Sequence, residues 1–209
     1  MKRGSETSAS PDDRRQFLLA SGRAILGIAV GGVVAAPARA LAQPATGKFR
    51  GRRVLIIYYS RTGHTSTVAR MIHSQTGGDL AEIRTVTPYP ADYAALVALN
   101  AEEQRTGYKP PLTTTIDTIR NYELVLVGSP IWNVRLTPPV RSFLSSHDLS
   151  GRSIAPFVTY KVSGLGRSYR DIEELCPDST IAPGVAVLDE NADKARTTVS
   201  KWLNEMRLR

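Results

Sequence analysis

Residues 54–72 read VLIIYYSRTGHTSTVARMI, and the change of pattern inside this stretch sets the fold class. Val54–Tyr59 is an unbroken apolar run of the kind found in parallel strands buried on both faces. Val68, Met71 and Ile72 then recur at helical spacing within Thr65–Gln75, and Gly77-Gly78 marks the stop. Between strand and helix lies a short polar turn. Five hydroxyl residues, Ser60, Thr62, Thr65, Ser66 and Thr67, crowd around Gly63, with His64 beside it and no lysine among them.

The alternation continues downstream. Leu80–Val86 reads as a strand, Pro88–Asp92 as a turn and Tyr93–Arg105 as a helix, followed by a break at Gly107–Leu112. Tyr122–Val127 is a second strong apolar strand, ending at Gly128-Ser129-Pro130. Pro138-Pro139 opens a helix through Ser146, as prolines favour the first helical turn. Ser153–Thr159 and Ile181–Leu188 read as strands, Gly166–Leu175 and Ala192–Arg207 as helices. Strands and helices in this order imply an α/β fold: a doubly wound, five-stranded parallel sheet covered on both faces.

In such sheets, ligands bind beyond the carboxyl ends of the strands, where the strand order switches direction. The first, third and fourth strands end near Ser60, Gly128 and Tyr160. The first of these loops feeds a helix N-terminus, where free N–H groups favour an anion and neutral hydroxyls add donors. Gly63 permits a close backbone approach or a positive φ. Neither a triphosphatase-type lysine loop nor a GxGxxG fingerprint is present, which points to a terminal monophosphate. A plain hydroxyl-rich helix cap accounts for the loop equally well at this level.

Composition limits the alternatives. The chain has 209 residues, 42% hydrophobic and 22% charged, as in a folded globular protein. Cys176 is the single cysteine and His64, His73 and His147 are dispersed, so neither a disulfide framework nor a metal site is expected. Near the N-terminus, Arg14-Arg15 precede Phe17-Leu18, and a mildly apolar run from Ala24 to Ala36 leads to Pro37-Ala38-Arg39-Ala40-Leu41-Ala42. Residues 1–42 resemble a twin-arginine (Tat) signal peptide cleaved near Ala42, and an uncleaved anchor is the alternative. The expected organisation is signal 1–42, linker 43–50 and domain 51–209. The resemblance implies the Tat export machinery as a partner and a periplasmic protein exported already folded, a route suited to cofactor carriers. The chain carries a net charge of +8, but its basic residues are scattered and Trp132 and Trp202 are its two tryptophans, so a nucleic-acid module is not expected.

The motifs taken together resemble the flavodoxins. SRTGHT matches the hydroxyl-rich S-x-T-G-N-T turn of that family, with His64 in place of its asparagine. YPADY, GSPIW, LTPPVRSFL, DLSG and SGLGRSYRDIEELCP follow in order and cover essentially all of the chain beyond residue 50. The likeness is greatest to short-chain flavodoxin-like proteins, and it implies strand order 2-1-3-4-5 with flavin mononucleotide (FMN) as cofactor. It implies that Ser60, Thr62, Gly63, His64 and Thr65 contact the phosphate. It places Ser129, Pro130, Ile131, Trp132 and Asn133 beside the isoalloxazine ring. Trp132 there is either a flat apolar surface for the ring or a buried anchor. Thr159, Tyr160, Lys161, Ser163 and Gly164 fall on the segment at the pyrimidine edge.

That last segment departs from the family, which commonly has two glycines at Lys161-Val162 and a small residue at Tyr160. Valine at positive φ is an outlier, so either the loop takes another path or the flavin pocket is partly filled. Two readings follow. In one, FMN binds and Lys161 stabilises the reduced ring as a cation at its edge. In the other, the pocket is degraded and the protein is a flavodoxin-fold binding protein with little redox activity. If FMN binds, the activity is electron transfer with a redox protein, or oxidoreduction of a small quinone-like substrate, as in a quinone reductase. No catalytic residue is singled out.

Overall fold

The computed structural model describes residues 48–206. The expected signal peptide and cleavage site, and the expected linker up to residue 47, lie outside the described residues. The linker's last part belongs to the sheet instead: β1 (Lys48–Phe49) pairs antiparallel with the start of β2 (Arg52–Tyr58).

The chain then runs through α1 (His64–Thr76), β3 (Asp79–Glu82), α2 (Tyr93–Thr106), β4 (Leu124–Trp132), β5 (Arg135–Leu136) and α3 (Pro138–Ser146). β6 (Ser153–Tyr160), α4 (Ser168–Leu175), β7 (Thr180–Ile181), β8 (Val185–Leu188) and α5 (Arg196–Glu205) complete it. Five parallel strands form the body of the sheet in the order β3-β2-β4-β6-β8, the doubly wound arrangement expected as 2-1-3-4-5. The order reverses direction at β2, with β3 on one side and β4 on the other.

Period-two alternation builds the two layers. Val54, Ile56 and Tyr58 of β2 face one core with Val68 and Ile72 of α1 and Val199 and Trp202 of α5. Leu55, Ile57 and Tyr59 face the other, with Val140 and Phe143 of α3 and Ile172 of α4. The four central β2 residues, Val54–Ile57, are wholly buried. An apolar run without alternation is therefore the correct sequence for this strand, because both of its faces are interior.

Four elements differ from the sequence expectation. β3 stops at Glu82, and Val86 is exposed beyond it. β4 does not end at Val127 but runs on through Gly128-Ser129-Pro130 to Trp132, because β6 pairs with it as far as Pro130↔Thr159. The strand expected over Ile181–Leu188 is split into β7 and β8 by Ala182-Pro183-Gly184, and a 3₁₀ turn, Asp189–Lys194, delays α5.

Candidate functional site

The carboxyl ends of β2, β4 and β6 place the three loops side by side. In the first, Gly63 caps α1 with φ 92°, a left-handed conformation that glycine adopts without penalty. Its carbonyl accepts from the Thr67 N–H at 2.9 Å and the Thr67 hydroxyl at 3.0 Å. No side chain caps this helix start, so its first N–H groups stay available. The loop's arginine turns away: Arg61 Nη2 donates to the carbonyl of Ala91 at 2.6 Å. Thr62 is exposed, while the Ser60 hydroxyl is enclosed and has no hydrogen-bond partner.

His64 begins α1, its Nδ1 3.6 Å from Asp189 Oδ1 and enclosed without a hydrogen bond. Asp189, from the turn after β8, is a neighbour the sequence reading missed, because nothing local marks a contact 125 positions away. Thr65 is buried, and its Oγ1 lies 2.8 Å from Thr159 Oγ1 at the end of β6. This contact joins the expected phosphate loop to the third loop.

In the second loop, Ser129 is wholly buried and its hydroxyl is taken up locally. It accepts from the Thr137 N–H at 3.1 Å and lies 3.2 Å from Thr137 Oγ1, so it anchors the start of α3. Pro130, Ile131 and Trp132 are half-buried at the strand end. Trp132 packs edge-on against Tyr59 (centroids 5.8 Å apart) and Tyr89 (5.3 Å). Trp132 thus packs against the core as an anchor, within an aromatic wall that it forms with Tyr59 and Tyr89. Tyr89 donates to Glu103 Oε2 at 2.7 Å. Burial pushes the Tyr59 phenol up to about 12, and it raises Tyr89 and the Glu103 carboxyl too. Tyr59 and Tyr89 were not singled out in the sequence; their place beside a strand end and in the YPADY turn was the available signal.

Backbone strain falls in this loop, not the third. Asn133 (φ 46°) and Val134 (φ 59°) form the tight turn between β4 and β5. Gln104 of α2 holds the turn from one side, donating to the Trp132 carbonyl at 2.8 Å and accepting from Asn133 at 3.2 Å. From the other side the Arg167 N–H donates to the Val134 carbonyl at 2.7 Å. Gly166 makes that approach possible, since a Cβ there would lie 2.4 Å from the Val134 oxygen.

In the third loop, Thr159 is buried, Tyr160 is half-buried, and Lys161, Val162 and Ser163 are exposed. Lys161 and Val162 avoid positive φ; Gly164 (φ 54°) and Gly166 (φ 53°) take the left-handed positions instead. The left-handed positions of this loop thus fall where glycine is present. A turn hydrogen bond from the Gly166 N–H to the Ser163 carbonyl at 2.9 Å closes it.

A flavodoxin family model matches residues 53–206, nearly all of the described residues. The chain belongs to the flavodoxin family. Among solved structures, a candidate flavoprotein of Bacteroides eggerthii is 25% identical over 76% of this chain and 99% of its own, with a TM-score of 0.66. A second, from Bacteroides uniformis, is 22% identical over 73% of this chain and 98% of its own, with a TM-score of 0.64. A flavoprotein of Lactobacillus acidophilus, solved in complex with FMN, is 22% identical over 72% of this chain and 98% of its own, with a TM-score of 0.61. In this flavodoxin family member the three loops occupy the strand ends at which doubly wound folds take their ligands.

Proposed function

We propose that this flavodoxin family protein binds FMN and acts in electron transfer. The observation that carries the reading is the Thr65–Thr159 contact, which joins an uncapped helix N-terminus to the strand end beside the aromatic wall. Fit is supported by the enclosed, partnerless Ser60 hydroxyl and by a helix start that no side chain satisfies. The FMN complex of the Lactobacillus acidophilus relative agrees with the same cofactor here.

Each group has a task on this reading. The α1 N–H groups, with Ser60, Thr62 and Thr65, would hold the phosphate, and the helix dipole would favour its charge. With Arg61 turned onto Ala91, the cradle is made largely of neutral donors, with His64 at its edge. Tyr59, Tyr89 and Trp132 exclude water from one side of the ring site. Lys161 brings a cation to the third loop. When bound, FMN supplies one- or two-electron chemistry at its ring, and the protein tunes its potential through such contacts.

The same proposal includes export through the twin-arginine route, cleavage near Ala42 and a periplasmic location, with a redox protein or small quinone-like molecule as partner. The deciding measurement is a flavin titration of the purified chain. Saturable quenching of FMN fluorescence, with riboflavin bound much more weakly, is the expected result. Absence of quenching would establish the degraded-pocket reading instead. Replacing Arg14 and Arg15 by lysine and following the protein by cell fractionation tests export separately.

A further inference from the structure

α3 is enclosed to an unusual degree: every residue from Pro138 to Leu144 is buried, and Arg141 is among them at 8% exposure. Its Nε and Nη1 are enclosed and have no hydrogen-bond partner. A guanidinium in such a place is costly unless its charge is matched.

The neighbouring carboxylates are committed elsewhere. Asp171 of α4 is wholly buried; its Oδ1 accepts from Arg135 Nε at 2.8 Å, and its Oδ2 from the Leu136 N–H at 2.9 Å. Glu174 accepts from Arg170 at 3.0 Å and from Arg135 at 3.3 Å, with Arg167 3.9 Å away. Four guanidiniums, Arg135, Arg141, Arg167 and Arg170, thus surround two carboxylates, and of the four Arg141 is the one with no carboxylate contact. Burial, and next the charge of Arg135, push the Arg141 guanidinium below its ordinary range. A water molecule would satisfy its N–H groups but would leave the charge unmatched.

We propose that the seam between α3 and α4 binds a small oxyanion, a carboxylate or phosphate group, at Arg141. The remaining exposure of Arg141 lies outside Nε and Nη1, so the anion approaches the rest of the fork and brings a negative charge to this guanidinium. Carboxylate and phosphate oxygens both accept charge-assisted hydrogen bonds from a guanidinium. This site is separate from the α1 N-terminus and does not depend on FMN binding.

The test is thermal unfolding of the full chain at constant ionic strength, with chloride exchanged stepwise for inorganic phosphate or for acetate. Constant ionic strength removes general screening. The wild type is expected to gain about 3 °C in a saturable manner with at least one of the two anions. Arg141→Met is expected to lose that gain and to be no less stable than the wild type in chloride alone. Phosphate bound at α1 would act on both proteins alike, so the difference between them reports Arg141. Equal gains in both, or no gain in the wild type, would overturn the proposal. Should the methionine variant not fold, Arg141→Lys replaces it. Its half-saturating anion concentration is expected to rise several-fold, and an unchanged value overturns the proposal equally.

Discussion

Thr65 and Thr159, 94 positions apart in sequence, meet through their hydroxyls at 2.8 Å in a buried contact. A hydroxyl has one proton and two acceptor sites. If Thr159 donates, the Thr65 proton remains free for an anion at the start of α1. Thr65→Val and Thr159→Val should each cost about 1–2 kcal/mol, because each leaves a buried hydroxyl unpaired. The double variant should cost less than the sum, with a coupling of about 1 kcal/mol by urea unfolding. Simple additivity would mean that the contact does not form.

Asp171 compensates Arg135 and satisfies the Leu136 N–H from a fully buried position. Asp171→Ala should therefore destabilise by about 3–5 kcal/mol, through an uncompensated charge and an orphaned backbone donor. Chemical denaturation measures this. A loss below about 1 kcal/mol would show that the pair is not buried as described.

Val134 occupies a positive φ with a β-branched side chain, a strained combination. Val134→Asn should raise stability by about 1 kcal/mol, since asparagine tolerates this conformation. Gly166→Ala should lower it by more than that, because the new Cβ would press on the Val134 carbonyl. Melting temperatures of the two variants should move in opposite directions.

The Glu103 carboxyl is raised, first by burial. Its unfolded form ionises at lower pH than its folded form, so stability falls as pH rises from the unfolded carboxylate value through the folded one. Glu103→Gln should remove this slope and raise stability at neutral pH. Tyr59, pushed up to about 12, acts in the same direction in alkali: the unfolded phenol ionises near 10, so stability falls between about 10 and 12. Tyr59→Phe should flatten that alkaline limb in pH-dependent unfolding curves.

Cys176 is buried and its thiol is pushed up to about 11 by burial alone. It should not react with a thiol reagent at pH 8 unless the protein is unfolded. Rapid modification of the native chain would contradict this placement.

Much of this molecule is legible in its sequence because each strand run and each helix spacing reports a face that the fold buries. Val54–Tyr59 and Leu124–Val127 are apolar without alternation because both their faces are interior. The hydroxyl-rich turn before α1 is equally plain, being local. What escapes is set by partners distant in sequence. Gly128-Ser129-Pro130 reads as a chain break, yet pairing with β6 keeps it in a strand. Asn133-Val134 carries no glycine to announce a tight turn; Gln104 and Arg167 impose it. Nothing near His64 points to Asp189, and nothing near Arg141 reveals that α3 is buried from Pro138 to Leu144.

The clamp between Val134 and Arg167 has a consequence for how the site breathes. Because the carbonyl of one loop is held by an amide of the other, neither can lift from the sheet alone. Amide hydrogen exchange along residues 131–136 and 164–168 should then follow a single opening event. Gly166→Ala should accelerate both segments together while leaving the start of α1 at its own rate. The loops at the ends of β4 and β6 then open as one hinged flap, and the start of α1 stays closed when they do.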